Sequence, residues 1–132
     1  MIPSPKVATY DKCPEMSAKE VADAMIKALK SHDYGFLVVN FANGDMVGHT
    51  AKREAIIAAV EALDVQVGRL LDVAVEEEYS VFLTADHCTC DEMVDPVTGE
   101  PHTQHTLYTL PWMIIDKEKW YLNTGRGLSI VA

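Results

Sequence analysis

An α/β fold organised around a mainly parallel sheet is predicted by three features of the sequence. Nearly unbroken apolar runs at residues 36–41, 81–85 and 111–116 read as strands. Stretches with helical spacing of apolar residues, 17–30 and 52–75, accompany them, and the connections between the runs are long crossovers rather than tight hairpin turns.

Each element can be justified in chain order. Residues 1–16 are interrupted by Pro3, Pro5 and Pro14 and read as an extended lead-in that cannot hold a helix. Ser17 followed by Glu20 has the form of a capping box. Val21, Met25, Ala28 and Leu29 then recur at helical spacing, which predicts a helix over 17–30. The apolar run 36–41 suits a strand covered on both faces and stops at the polar turn Ala42-Asn43-Gly44-Asp45. A second helix is expected over 52–75, with Ile56, Val60, Leu63, Val67, Leu70 and Ala74 on one stripe. Residues 81–85 form another buried-type strand, ending at Asp86-His87. The polar stretch 89–106, with Pro96, Gly99 and Pro101, reads as a long loop, and loops of this length often carry function. A third strand over 111–116 and a turn over 123–127 complete the pattern.

Composition narrows the class of protein. At 132 residues and 48% hydrophobic, the chain can bury one domain's core. A net charge of −9 leaves no basic surface for nucleic acid, although a small anionic substrate could still bind through metal ions. The three cysteines, Cys13, Cys88 and Cys90, do not form a disulfide framework, so a reducing cytoplasm is expected. No signal peptide is visible and no apolar run approaches the roughly 18 residues of a membrane span, so a soluble protein without membrane partners is expected.

In a parallel α/β sheet, ligands gather beyond the carboxyl ends of the strands. The first strand runs toward Asp45 and His49, the second toward Asp86 and His87, and the loop before the third contains His102 and His105. Mixed carboxylate and imidazole donors suit manganese or zinc, and two such ions can clamp a phosphoryl group. Taken singly, each Asp also fits a turn or helix cap, and each His a surface or hydrogen-bonded role. Cys88, Cys90, His102 and His105 make a second conceivable set, for structural zinc, although one residue between the thiols is shorter than ordinary zinc spacing.

Several strings carry a further reading. Asn40-Phe41-Ala42-Asn43-Gly44-Asp45-Met46-Val47-Gly48-His49-Thr50, Thr84-Ala85-Asp86-His87 and His102-Thr103-Gln104-His105-Thr106 resemble the metal-binding motifs of the cofactor-independent phosphoglycerate mutases. Ser4-Pro5-Lys6-Val7-Ala8-Thr9-Tyr10-Asp11 and Pro14-Glu15-Met16-Ser17-Ala18 resemble the segment by which that family's chain re-enters its phosphatase-like domain. The resemblance covers essentially the whole chain. It implies part of an alkaline-phosphatase-like three-layer domain, with 1–132 as the C-terminal portion of its metal-binding half. It implies that Asp45, His49 and His105 hold one divalent metal and that Asp86 and His87 ligate a second. Manganese is the first expectation, with zinc, cobalt or magnesium as alternatives.

The family interconverts 3-phosphoglycerate and 2-phosphoglycerate through a phosphoserine. The serine, another metal-binding Asp, most substrate-holding groups and the substrate-binding domain lie in parts with no counterpart here. Ser17 and Ser129 do not stand in the nucleophile's context, and among Lys6, Lys52, Arg53, Arg69 and Arg126 the helical ones read as solvated-face residues. The chain also departs from the family, with Cys88-Thr89 where Gly-Asn is usual and Leu107-Tyr108-Thr109-Leu110-Pro111 in place of a Thr-Asn-Pro-Val-Pro pattern. The expectation is therefore a segment cut at both ends, acting in a complete enzyme with a separate N-terminal portion and lacking activity alone. Rival readings are a noncatalytic metal-binding or interaction protein, self-associating through an uncovered sheet edge, and another alkaline-phosphatase-like phosphohydrolase.

Overall fold

The computed structural model describes residues 1–122. The turn expected at 123–127, Arg126 and Ser129 lie outside the described residues. Within them the chain forms helices α1 (Ala18–Ser31), α2 (Asn43–Gly48) and α3 (Arg53–Glu76), then strands β1 (Val81–Thr84) and β2 (Trp112–Ile115). No helix among these residues is long and apolar enough to cross a membrane.

The lead-in has no regular structure before a 3-10 turn at Tyr10–Lys12, and it reaches α1 through hydrogen-bonded turns over 14–17. Ser17 occupies the N-cap of α1, as expected, but the capping box does not form: the Ser17 hydroxyl donates to the Pro3 carbonyl at 2.8 Å. The hydroxyl thus ties the lead-in across the start of the helix. At the other end His32 takes a left-handed conformation, φ 53°, and its Nε2 lies 2.8 Å from Glu77 just beyond α3. The contact joins the C-terminal ends of the two long helices.

The two helices pack along each other because their small and branched residues share a face. Ala22 and Leu29 of α1 meet Leu70 and Ala74 of α3 in one buried cluster. A second cluster joins Met16, Val47 of α2, and Ile56 and Ala59 of α3. Of the stripe predicted for α3, Ile56, Leu70 and Ala74 are buried and Leu63 and Val67 half-buried, whereas Val60 faces solvent and Ala59 takes the core position. A smaller side chain at that position lets α2 approach closely.

Sheet pairing differs from the prediction. Residues 36–41 are extended and alternate as a strand does, with Leu37, Val39 and Phe41 packed on the α1–α3 cluster. They have no ladder partner among the described residues, and Phe36 and Val38 are 82% and 77% exposed. The mainly parallel sheet is likewise not what the described residues form. β1 pairs only with β2, antiparallel, from Val81 opposite Ile115 to Thr84 opposite Trp112. A parallel pair needs a crossover that carries the chain back to its starting end. Residues 85–111 contain no helix and return the chain alongside β1 in the reverse direction. β1 is also covered on one face rather than both: Val81 packs on the helical cluster and Phe82 points outward.

Candidate metal centre

The polar turn expected at 42–45 is instead the opening of α2. Gly44 and Gly48 weaken helix propensity, so the segment relies on tertiary anchors. Buried Asn43 supplies them, its side-chain amide donating to the carbonyls of Pro14 at 2.9 Å and Glu15 at 2.8 Å. Asp45 lies in the first turn, where the helix dipole favours a carboxylate. His49 follows the last turn, four residues on, and its Nε2 stands 3.0 Å from Asp45 Oδ1.

The long loop delivers the other imidazoles. An isolated bridge pairs Cys88 with Thr106, the Thr106 N–H donating to the Cys88 carbonyl at 3.1 Å. This bridge draws His105 against His87, with ring centroids 3.6 Å apart and planes 12° from parallel. His105 Nε2 then lies 3.2 Å from Asp45 Oδ1, and His87 Nε2 3.9 Å from the same oxygen. Among the described residues, Asp45, His49 and His105 are the group whose donor atoms come close enough to hold one ion.

Charge and tautomer test whether an ion fits. His49 Nδ1 is 2.7 Å from the Thr103 carbonyl, which only accepts, so Nδ1 carries the hydrogen. In the neutral ring Nε2 then presents a lone pair to the Asp45 carboxylate at 3.0 Å. Two facing lone pairs repel unless a proton or a cation lies between them. The donor set therefore fits a divalent metal.

The remaining predicted residues are placed less uniformly. Asp86, its side chain 75% exposed, accepts from the His87 N–H at 3.1 Å and approaches His87 Nε2 at 3.6 Å. It stands outside the Asp45 group, beside His87. The Cys88, Cys90, His102 and His105 set is not assembled. The Cys90 thiol donates to the Gly44 carbonyl at 3.0 Å, and burial, with Asp91 and Asp45 nearby, pushes its pKa up, which keeps it protonated. Cys88 turns toward the Tyr108 carbonyl, while His102 Nδ1 is enclosed without a hydrogen-bond partner. Of the candidate cations, Lys52 is committed to Asp11 and Arg69 to Asp23. Sequence reasoning missed Thr103 and Thr89, which touch His49 and His87. The Asp-x-x-x-His spacing, with both side chains on one helical face, was the available signal for α2.

Two donors on and just beyond a short helix, joined by a loop imidazole, form a group able to hold a divalent metal. Residues 1–132 match the Metalloenzyme superfamily, and the chain belongs to that family, as a partial alkaline-phosphatase-like domain. Over 119 residues, 89% of its length, it is 49% identical to the 2,3-bisphosphoglycerate-independent phosphoglycerate mutase of Rhodopirellula baltica, of which it covers 22%. Over all 132 residues it is 48% identical to the enzyme of the same name from Psychrobacter arcticus, of which it covers 24%. A crystal structure of Leishmania mexicana phosphoglycerate mutase at low cobalt concentration superposes with a TM-score of 0.78 at 36% identity, covering 86% of this chain and 22% of that one. The chain thus spans about a quarter of the length of these relatives.

Proposed function

We propose that residues 1–132 are the C-terminal portion of the metal-binding domain of a phosphoglycerate mutase interconverting 3-phosphoglycerate and 2-phosphoglycerate. In this reading Asp45, His49 and His105 hold one divalent ion, and Asp86 with His87 contributes to a second. The convergence of His49 and His105 Nε2 on one Asp45 oxygen carries the reading. Similarity to the mutases along the full chain supplies the reaction class. Manganese agrees with the mixed oxygen and nitrogen donors, and a cytoplasmic setting agrees with three unbridged cysteines.

Bound divalent ions neutralise phosphoryl charge and lower the proton affinity of an attacking hydroxyl. The chain's own part is to present donors in fixed orientation. The Thr103 carbonyl holds His49 with Nε2 inward, the Cys88–Thr106 bridge holds His105, and α2 aims Asp45 between them. The serine that carries the phosphoryl group would come from the N-terminal part of the complete enzyme.

The test is a chimera in which this chain replaces the matching quarter of the Psychrobacter arcticus enzyme. The expected result is conversion of 3-phosphoglycerate that is lost on Asp45→Ala or His87→Ala. A folded, metal-loaded chimera without activity would instead favour the noncatalytic reading. Activity that survives both substitutions would remove the ligand assignment.

A further inference from the structure

Between the two donor groups lies a residue to which the family resemblance assigns no role. Thr89 is only 7% exposed, and its hydroxyl is 3.2 Å from His87 Nδ1 and 3.4 Å from Asp45 Oδ1. A hydroxyl has one hydrogen to give, and an ionised carboxylate can only accept. The Thr89 hydrogen therefore points to Asp45, and its oxygen accepts from His87 Nδ1–H. With Nδ1 protonated, neutral His87 keeps a lone pair on Nε2, the atom turned toward Asp45 and Asp86. Ring orientation and tautomer are the two properties that an outer hydrogen-bond partner sets for a metal-binding histidine.

The backbone is shaped to admit Thr89. A Cβ placed on Gly48 would come within 2.7 Å of Thr89 Cγ2, so glycine at the end of α2 makes room for the threonine methyl. The Cys90 hydrogen bond to Gly44 fixes the next residue of the same loop on the same helix. Thr89 and Cys90 are thereby docked on α2 as a strap linking the Asp86–His87 pair to the Asp45 group.

We propose that Thr89 is a positioning residue that locks His87 in the Nδ1–H tautomer, leaves Nε2 free for a divalent cation, and couples the two donor groups. The cation part rests on the metal-centre reading above; the tautomer part does not. Thr89→Val keeps the shape and removes the hydroxyl, whereas Thr89→Ser keeps the hydroxyl.

Nitrogen-15 NMR of the metal-free full chain, at a pH where the imidazoles are neutral, reads the tautomer directly. His87 should be Nδ1–H in the parent and in Thr89→Ser, and should revert in Thr89→Val to the Nε2–H form that free histidine prefers. In a Mn²⁺ titration, the affinity that depends on His87 should fall by about 10–100-fold in Thr89→Val and recover in Thr89→Ser. The same His87 tautomer in parent and Thr89→Val would overturn the proposal, as would a Thr89→Ser variant no better than Thr89→Val. Tautomers that follow the expected pattern in a chain binding no metal would uphold the positioning role and overturn the metal reading.

Discussion

Asp45 is the single carboxylate on which three imidazole nitrogens converge, and the consequences of changing it differ from those of changing any one partner. Asp45→Asn keeps the shape but removes the anion. Calorimetric titration should then show Mn²⁺ affinity falling by at least the roughly tenfold that separates a changed partner from an intact one. Two residues past His49, Ala51 sits at φ 49°, in the left-handed region where a Cβ crowds the following carbonyl. Ala51→Gly should raise stability by about 1 kcal/mol in urea unfolding, with no change in metal affinity. A decrease would mean that the methyl packs more favourably than the backbone strain costs.

Among the elements, the two long helices were readable because a 3.6-residue apolar period sustained over many residues leaves little freedom. α2 was not, since six residues with two glycines have no period of their own, and its helical form depends on the Asn43 anchors to Pro14 and Glu15, 28 or more positions earlier. The direction of the β1–β2 pair was also hidden, because an apolar run predicts burial but not its neighbour. The donors of the candidate site were legible as Asp and His residues following apolar runs. Its Thr89 and Thr103 contacts were not, since a hydroxyl or carbonyl that orients a histidine has no sequence signature. α2 is held down chiefly by Val47, which is fully buried against Met16, Ile56 and Ala59. Val47→Ala should cost about 2 kcal/mol in urea unfolding. It should weaken Mn²⁺ binding as well, because Asp45 and His49 ride on the same short helix.

For the molecule as a whole, the lead-in is fastened to the start of α3 by the Asp11–Lys52 ion pair. The Lys52 hydrogen bond, with Thr9 also donating, holds the Asp11 carboxyl below the usual carboxylate range. A depressed folded-state pKa adds stability above the unfolded-state value, and that stability is lost as pH falls through the folded value. Asp11→Asn should therefore lower the melting temperature at neutral pH and make progressively less difference in acid. An equal deficit at every pH would show that packing, not charge, is what Asp11 supplies. Exposed Val38, on the unpaired 36–41 segment, gives the complementary comparison. Val38→Lys should change the stability of this chain by less than about 0.5 kcal/mol. A clear destabilisation by the same change in the mutase chimera would show that the rest of the enzyme covers this segment.

The spacing of the donors along the chain also implies an order of assembly during synthesis. Asp45 and His49 are separated by one helical turn, whereas His87 and His105 are made dozens of residues later. As the chain leaves the ribosome, the first two donors and the anchors of α2 are already available, at low loop-closure cost. A weak half-site can then exist before the enclosing loop has been translated. Metal captured there would act as a template on which the later histidines close, so that loading and final folding become one event.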